Sequence, residues 1–116
     1  MLITIDETND SPLFEQIAAA VRTGIVTGTI RRGDRMPTAK DLCASLAVNR
    51  NTVLHAYQML RDEGLVELRR GRGATVTAQA DNLVQLSVAV NNLVTEAREL
   101  GISPEILSRL VKESSA

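Results

Sequence analysis

Residues 31–76 impose a fixed order on any fold this chain can adopt. Arg31-Arg32-Gly33-Asp34 is turn-like, and Pro37 stops a helix from running through it. Thr38 with Asp41 three residues on has the form of a capping box, in which side chains satisfy free backbone N–H groups. A short helix follows with Leu42, Cys43 and Leu46 apolar, ending at Ala47-Val48. Asn49 is then a good N-cap for a second helix with Val53, Ala56, Tyr57 and Leu60 on its inner face, and Gly64 closes it. Two β-compatible runs, 65–68 and 74–77, flank Arg69-Arg70-Gly71-Arg72-Gly73, which fits a hairpin longer than the two-residue kind. Two helices joined by a tight turn, then a hairpin with an arginine-rich tip, make up a winged helix-turn-helix.

The flanks complete the element order. Leu2, Ile3 and Ile5 suit a short N-terminal strand. Ser11 as N-cap and Pro12 at the first helical position predict a helix over about 12–27, with Phe14, Ile17, Ala18, Val21 and Ile25 as its apolar stripe and Gly28 as its stop. From Asp81 onward the pattern becomes heptad-like. Leu83, Leu86, Val90, Leu93, Ala97 and Leu100 step by three and four along one seam. Gly101 ends that helix and Ser103-Pro104 starts another, with Ile106, Leu107, Leu110 and Val111 apolar. The expected class is α+β, mostly helical: a winged helix-turn-helix domain over 1–78 and a helical tail over 79–116. The seam must pack on the first domain or find a partner chain.

Size and composition limit the alternatives. A chain of 116 residues leaves no room for a second, catalytic domain beside this one. Phe14 and Tyr57 are its only aromatic residues, so the core must be aliphatic, and a small aliphatic core favours oligomerisation. The net charge of -1 conceals a split. Residues 31–72 hold nine Arg or Lys against five Asp or Glu, a balance of +4, and the rest hold four against nine, or -5. Positive charge is thus concentrated on the helix-turn-helix and hairpin, as a nucleic-acid partner requires. The lone cysteine, Cys43, cannot form an internal disulfide and is expected to be a small core residue. Neither a membrane span nor a signal peptide is evident, which places the protein in the cytoplasm. No nucleophile–base–acid constellation or phosphate-binding glycine motif supports an enzyme, and too few ligands accompany Cys43 and His55 for a metal site. No cofactor is expected.

Several linked motifs at fixed spacing resemble the GntR family of bacterial transcription regulators. They are Ser11-Pro12-Leu13-Phe14-Glu15-Gln16-Ile17, then Gly28, then Gly33-Asp34-Arg35-Met36-Pro37-Thr38. Val48-Asn49-Arg50-Asn51-Thr52-Val53, Glu63-Gly64-Leu65-Val66 and Arg70-Gly71-Arg72-Gly73 continue the match, which spans residues 11–77. The Asn-x-Asn-Thr-Val run and a tail of two helices look most like the small YtrA-type subfamily. That resemblance implies a tail serving as a dimerisation element and no large effector-binding domain. The family usually has serine and arginine where this chain has Thr38 and Lys40, and lysine or arginine near His55. Lys40 keeps a charge but not the planar fork of arginine, so phosphate is its expected target.

The candidate DNA-binding residues are Arg35, Thr38, Lys40, Asn49, Arg50, Asn51, Thr52, His55, Arg70, Gly71 and Arg72. Arg50, Asn51 and Thr52 open the second helix of the motif, where such proteins present reading side chains, and arginine and asparagine suit guanine and adenine edges. For Asn49, capping alone is a sufficient explanation. Arg35 is equally suited to a backbone phosphate or to an ion pair with Asp34 or Asp41. Arg70 and Arg72 around Gly71 are expected at the adjacent minor groove or its phosphates, while Arg69 on the other strand face contributes only charge. His55 is expected to be DNA-facing or solvated. The dimerisation candidates are Leu83, Leu86, Val90, Leu93, Ala97, Leu100, Leu107 and Leu110. The expected function is a homodimeric, sequence-specific regulator, a repressor, on a pseudo-palindromic operator of double-stranded DNA. The alternative is a winged-helix protein-interaction module that does not touch DNA. An unidentified small-molecule effector between the tail helices stays open as a further partner.

Overall fold

A computed structural model describes residues 3–6, 8–70 and 73–115. The chain divides into two compact units, Met1–Val84 and Gln85–Ala116.

Among the described residues the first unit opens without a strand: residues 3–6 form no regular element, and Leu2 of the expected strand lies outside the described residues. The apolar alternation read there is used for packing, since Ile3 is buried and Ile5 lies against the core. The Asp6 N–H goes to Gln16 Oε1 at 2.8 Å instead of to a neighbouring strand. Helix α1 runs Leu13–Thr27, and its N-cap is Pro12 at ψ 146°, one residue later than Ser11. No side chain caps it; the Pro12 carbonyl accepts from the Glu15 and Gln16 amides. Gln16 holds the entry chain by donating to the carbonyls of Asp6 and Ser11.

Helix α2, Ala39–Leu46, starts as its sequence directs, with Thr38 Oγ1 accepting from the Asp41 N–H at 3.1 Å. It stops at Ala47, held in the left-handed region at φ 55°, and the Val48 amide closes back onto the Cys43 carbonyl. A non-glycine residue there is strained, and the sharp turn into the next helix requires it. Helix α3, Arg50–Asp62, buries Val53, Ala56, Tyr57 and Leu60. These meet Ile17, Ala18, Val21 and Ile25 of α1 and Leu42 of α2 in one cluster, which is aliphatic apart from Tyr57.

The hairpin is β1, Val66–Arg69, antiparallel to β2, Gly73–Val76, with Val66 opposite Val76 and Arg69 opposite Gly73. Val66, Ala74 and Val76 are buried, so the hairpin closes one side of the core. The stretch read as a plain turn before Pro37 does more than turn. The Gly33 and Met36 amides donate to the carbonyls of Val76 and Ala74, the Val76 amide donates to Asp34, and Arg35 bridges to Thr75. Four residues are too few for a period-two signal, so this third edge of the sheet was not legible in the sequence.

Helix α4, Gln79–Glu99, begins in the first unit, where Ala80 is buried and Leu83 packs against the core. The first unit therefore ends at Val84, later than the expected boundary at residue 78. In the second unit α4 ends before Gly101 (φ 74°), and α5, Pro104–Ser114, starts with Ser103 Oγ accepting from the Ile106 N–H. Among the described residues no helix is long and apolar enough to cross a membrane.

Candidate nucleic-acid interface

Each reading-face residue is set by a local device. The Thr38 cap orients the start of α2, where Lys40 is exposed. The Asn49 cap orients the start of α3, its Oδ1 accepting from the Asn51 N–H at 2.8 Å. Tyr57 ties α3 to the segment that leads into α2: its buried hydroxyl donates to the Pro37 carbonyl at 2.6 Å, and burial pushes the phenol well above its ordinary range. At the loop end of the hairpin, opposite Arg69, Gly73 sits at φ 75°, and an added Cβ would lie 3.2 Å from the Met36 carbonyl oxygen and 3.4 Å from Thr38 Cα.

These devices shape an open cleft of about 440 Å³ between α2, α3 and the hairpin. Its walls include the α2 cap Thr38 and Lys40 of α2, Arg50 and Leu54 from α3, and Leu68, Arg69 and Arg70 from the hairpin. Four of the expected DNA-binding residues, Thr38, Lys40, Arg50 and Arg70, thus share one concavity. Lys40, Arg50 and Arg70 have no hydrogen-bonding or ionic partner among the described residues, and the Asn51 side chain has none either.

Other expected residues fall differently. Arg35 is exposed on the third sheet edge and makes no ion pair among the described residues, so neither Asp34 nor Asp41 takes it. Asp34 instead accepts from the Arg31 backbone N–H at 2.8 Å. Thr52 is half-buried in the first turn of α3, its amide bonded to the Asn49 carbonyl. His55 is exposed, but its ring stacks on Phe14 with centroids 3.8 Å apart and planes 15° from parallel, so one face belongs to α1. Gly71 and Arg72 lie outside the described residues. Cys43 is half-buried against the core, with Sγ 3.1 Å from the Lys40 carbonyl oxygen.

Sequence reasoning missed Arg69, Leu54 and Leu68 as parts of this surface. Arg69 lines the cleft and is held by Glu67 at 3.6 Å. The two leucines carry no polar signal; only Leu54's place four residues after Arg50 marks it.

In the second unit Leu86, Val90, Leu93, Leu100 and Leu110 are exposed, with Leu100 at 68%. Ala97 is buried, and with Leu107 it lines a hollow of about 270 Å³ between α4 and α5. Leu83 belongs to the core of the first unit.

A helix-turn-helix with a hairpin beside it, lined by Lys40, Arg50 and Arg70 without partners among the described residues, defines a winged helix-turn-helix protein that binds DNA. Residues 13–76 match the family model of bacterial regulatory proteins, gntR family. The chain belongs to the GntR family and is a DNA-binding transcription regulator of YtrA-like type. It is 30% identical to the HTH-type transcriptional repressor YtrA of Bacillus subtilis (strain 168), over 99% of this chain and 93% of that protein. A GntR family transcriptional regulator from Listeria monocytogenes superposes with a TM-score of 0.65 at 28% identity, over 96% of this chain and all of that one. The DNA-binding domain of AraR, solved in complex with operator ORX1, superposes with a TM-score of 0.55 at 25% identity, over 66% of this chain and 92% of that one.

Proposed function

We propose that the protein is a cytoplasmic, homodimeric repressor that reads two half-sites of a pseudo-palindromic operator and excludes polymerase from the promoter. The observation that carries this reading is the convergence of Lys40, Arg50 and Arg70 on one cleft without partners among the described residues. Cations left unpaired by the fold are available to phosphates and base edges, and their release of counterions makes affinity fall steeply with salt. In this reading Arg50 and Asn51 read bases in the major groove. Arg35, Thr38, Lys40, Thr52 and the hairpin arginines hold the backbone and the adjacent minor groove. His55, anchored on Phe14, flanks the groove and carries no base preference.

The dimer rests on the tail. Leu86, Val90, Leu93 and Leu100 lie exposed along α4, with Leu110 exposed on α5. Burying such side chains against a second copy gains roughly 1.5–3 kcal/mol each when burial is complete. Two-fold symmetry then sets the half-sites about 34 Å apart, or at a longer multiple. The YtrA repressor from B. subtilis, aligned along nearly the whole chain, supports repression as the outcome.

Fluorescence anisotropy on a sequence selected from random DNA tests this reading. Arg50→Ala is expected to cost about 1–3 kcal/mol and relax preference at one base, whereas Arg70→Ala weakens all sequences alike and flattens the salt dependence. Equal affinity of the wild type and the Arg50→Ala, Arg70→Ala double variant would sink the assignment.

A further inference from the structure

The cleft between the two helices and the hairpin has a polar, cationic rim and an apolar wall, and a cation-binding polyanion alone gives no use for that wall. Arg50, Leu54 and Tyr57 follow one another along α3 at steps of four and three, and all three line the cleft. Tyr57 is committed to the core, at 2% exposed and with its hydroxyl bound to Pro37. Leu54 is not: it rests against the core on one side and stays half-exposed on the other, between Arg50 and the hairpin residues Leu68 and Arg69. Whatever enters the cleft beside Arg50 therefore meets a branched apolar side chain.

Phosphates, sugar oxygens and most base edges would lose hydration against that side chain without compensation. One feature of the major groove is apolar, the 5-methyl group of thymine. We infer that Leu54 is a specificity-determining residue that reads a thymine methyl group next to the base read by Arg50. The inference rests on the proposed operator-reading role and adds a base to it. Four residues of helix rise about 6 Å, so the thymine lies within about two base-pair steps of the Arg50 contact. A leucine at this position thereby separates T from C, A and G.

Deoxyuracil supplies the test, because it pairs like thymine and keeps O4 but lacks the methyl group. A sequence is first selected from random DNA with the full chain, and each thymine of a half-site is then replaced singly by deoxyuracil. The expected result is one thymine per half-site, near the Arg50-dependent base, whose replacement weakens wild-type binding about four-fold, the worth of one buried carbon. Leu54→Ala and Leu54→Gln should bind the two DNAs equally while keeping the Arg50-dependent preference. The wild-type comparison stands even if either variant folds poorly. An enriched sequence in which no replacement matters, or a Leu54 variant that still discriminates, overturns the inference and leaves the DNA-binding reading intact. If no sequence is enriched, the operator-reading role falls and this inference falls with it.

Discussion

Asn49 separates capping from reading more sharply than any other residue of the interface. Recognition of adenine by asparagine takes both ends of the amide, the oxygen accepting from N6 and the nitrogen donating to N7. In Asn49 the oxygen accepts from the Asn51 N–H at 2.8 Å, which ties the side chain to the helix terminus, so a bidentate contact from Asn49 competes with the cap of α3. Asn51, exposed and with no side-chain hydrogen bond among the described residues, has no such competition. Replacing an asparagine cap by alanine costs about 1 kcal/mol, a factor of roughly five in the folding equilibrium and about 4–8 °C in Tm for a domain of this size. Serine caps as well as asparagine does, so Asn49→Ser should unfold at nearly the wild-type urea concentration. Urea melts followed by circular dichroism give the stability, and anisotropy titrations against operators varied one base at a time give the preference. The expected pattern is loss of stability in Asn49→Ala alone, with base preference intact in both Asn49 variants. Asn51→Ala, within about 0.5 kcal/mol of wild-type stability, should lose about 1–3 kcal/mol of discrimination at one A·T pair. An Asn49→Ser variant that folds like the wild type yet loses a base preference would refute this division of labour.

Tyr57→Phe removes the 2.6 Å bond to Pro37 and leaves a carbonyl unpaired, so urea melts at neutral pH should show a loss of about 1–1.5 kcal/mol. Burial raises the Tyr57 phenol above the ordinary value near 10, so above that pH the unfolded chain releases a proton that the folded chain keeps. Stability should fall as pH rises past about 10, by up to about 1.4 kcal/mol per unit from this residue, and Tyr57→Phe should lack that component. Arg22 grips Glu63 with Nε at 2.7 Å and Nη2 at 2.6 Å, and a double-mutant cycle on this one-third-exposed pair should return a coupling of about 0.2–1 kcal/mol. Gly73→Ala forces a side chain into φ 75° against the Met36 carbonyl, and should cost about 1–2 kcal/mol of stability and weaken DNA binding with it. Truncation after Val84 keeps Ala80 and Leu83 on the first core and should sediment as a monomer; a truncated chain that remains dimeric refutes the role given to the tail.

The helices were legible because each carries its own punctuation. The Thr38, Asn49 and Ser103 caps and the left-handed glycines at 28, 64 and 101 are local devices whose geometry follows from the residue itself. The inner face of α3 was legible for the same reason, through its period. What failed depended on partners distant in sequence. Ile3 and Ile5 alternate like a strand, but a strand needs a neighbour and the Gln16 side chain took the Asp6 amide. Residues 33–36 look like a turn, but their amides found β2 some forty residues away. Within the interface, charge and motif located Lys40, Arg50 and Arg70, whereas Leu54 and Leu68 have chemistry common to any core position. Only the placement of α3 against the hairpin separates them from the core.

The same placement accounts for an acidic chain that binds a polyanion. In the first unit Arg22 pairs with Glu63, Arg32 with Asp81, Arg61 with Asp62 and Arg69 with Glu67, and the Arg31 guanidinium donates to the Gly28 carbonyl. Arg35, Lys40, Arg50 and Arg70 are left without such partners among the described residues, and each lies on the third sheet edge or in the cleft. Apart from Glu67 on Arg69, the acids thus pair with arginines outside the cleft and not with the cations that line it. Net charge is a poor guide here because ion pairs within a Debye length cancel at a distance, while unpaired cations act on whatever comes within about 8 Å at physiological salt. Arg69 stands between the two groups: it lines the cleft yet is held by Glu67, so it reaches a phosphate only by leaving its carboxylate. The two ends of that exchange are both more than half exposed, so it costs little, and the hairpin can grip DNA with Arg69 or keep it folded back.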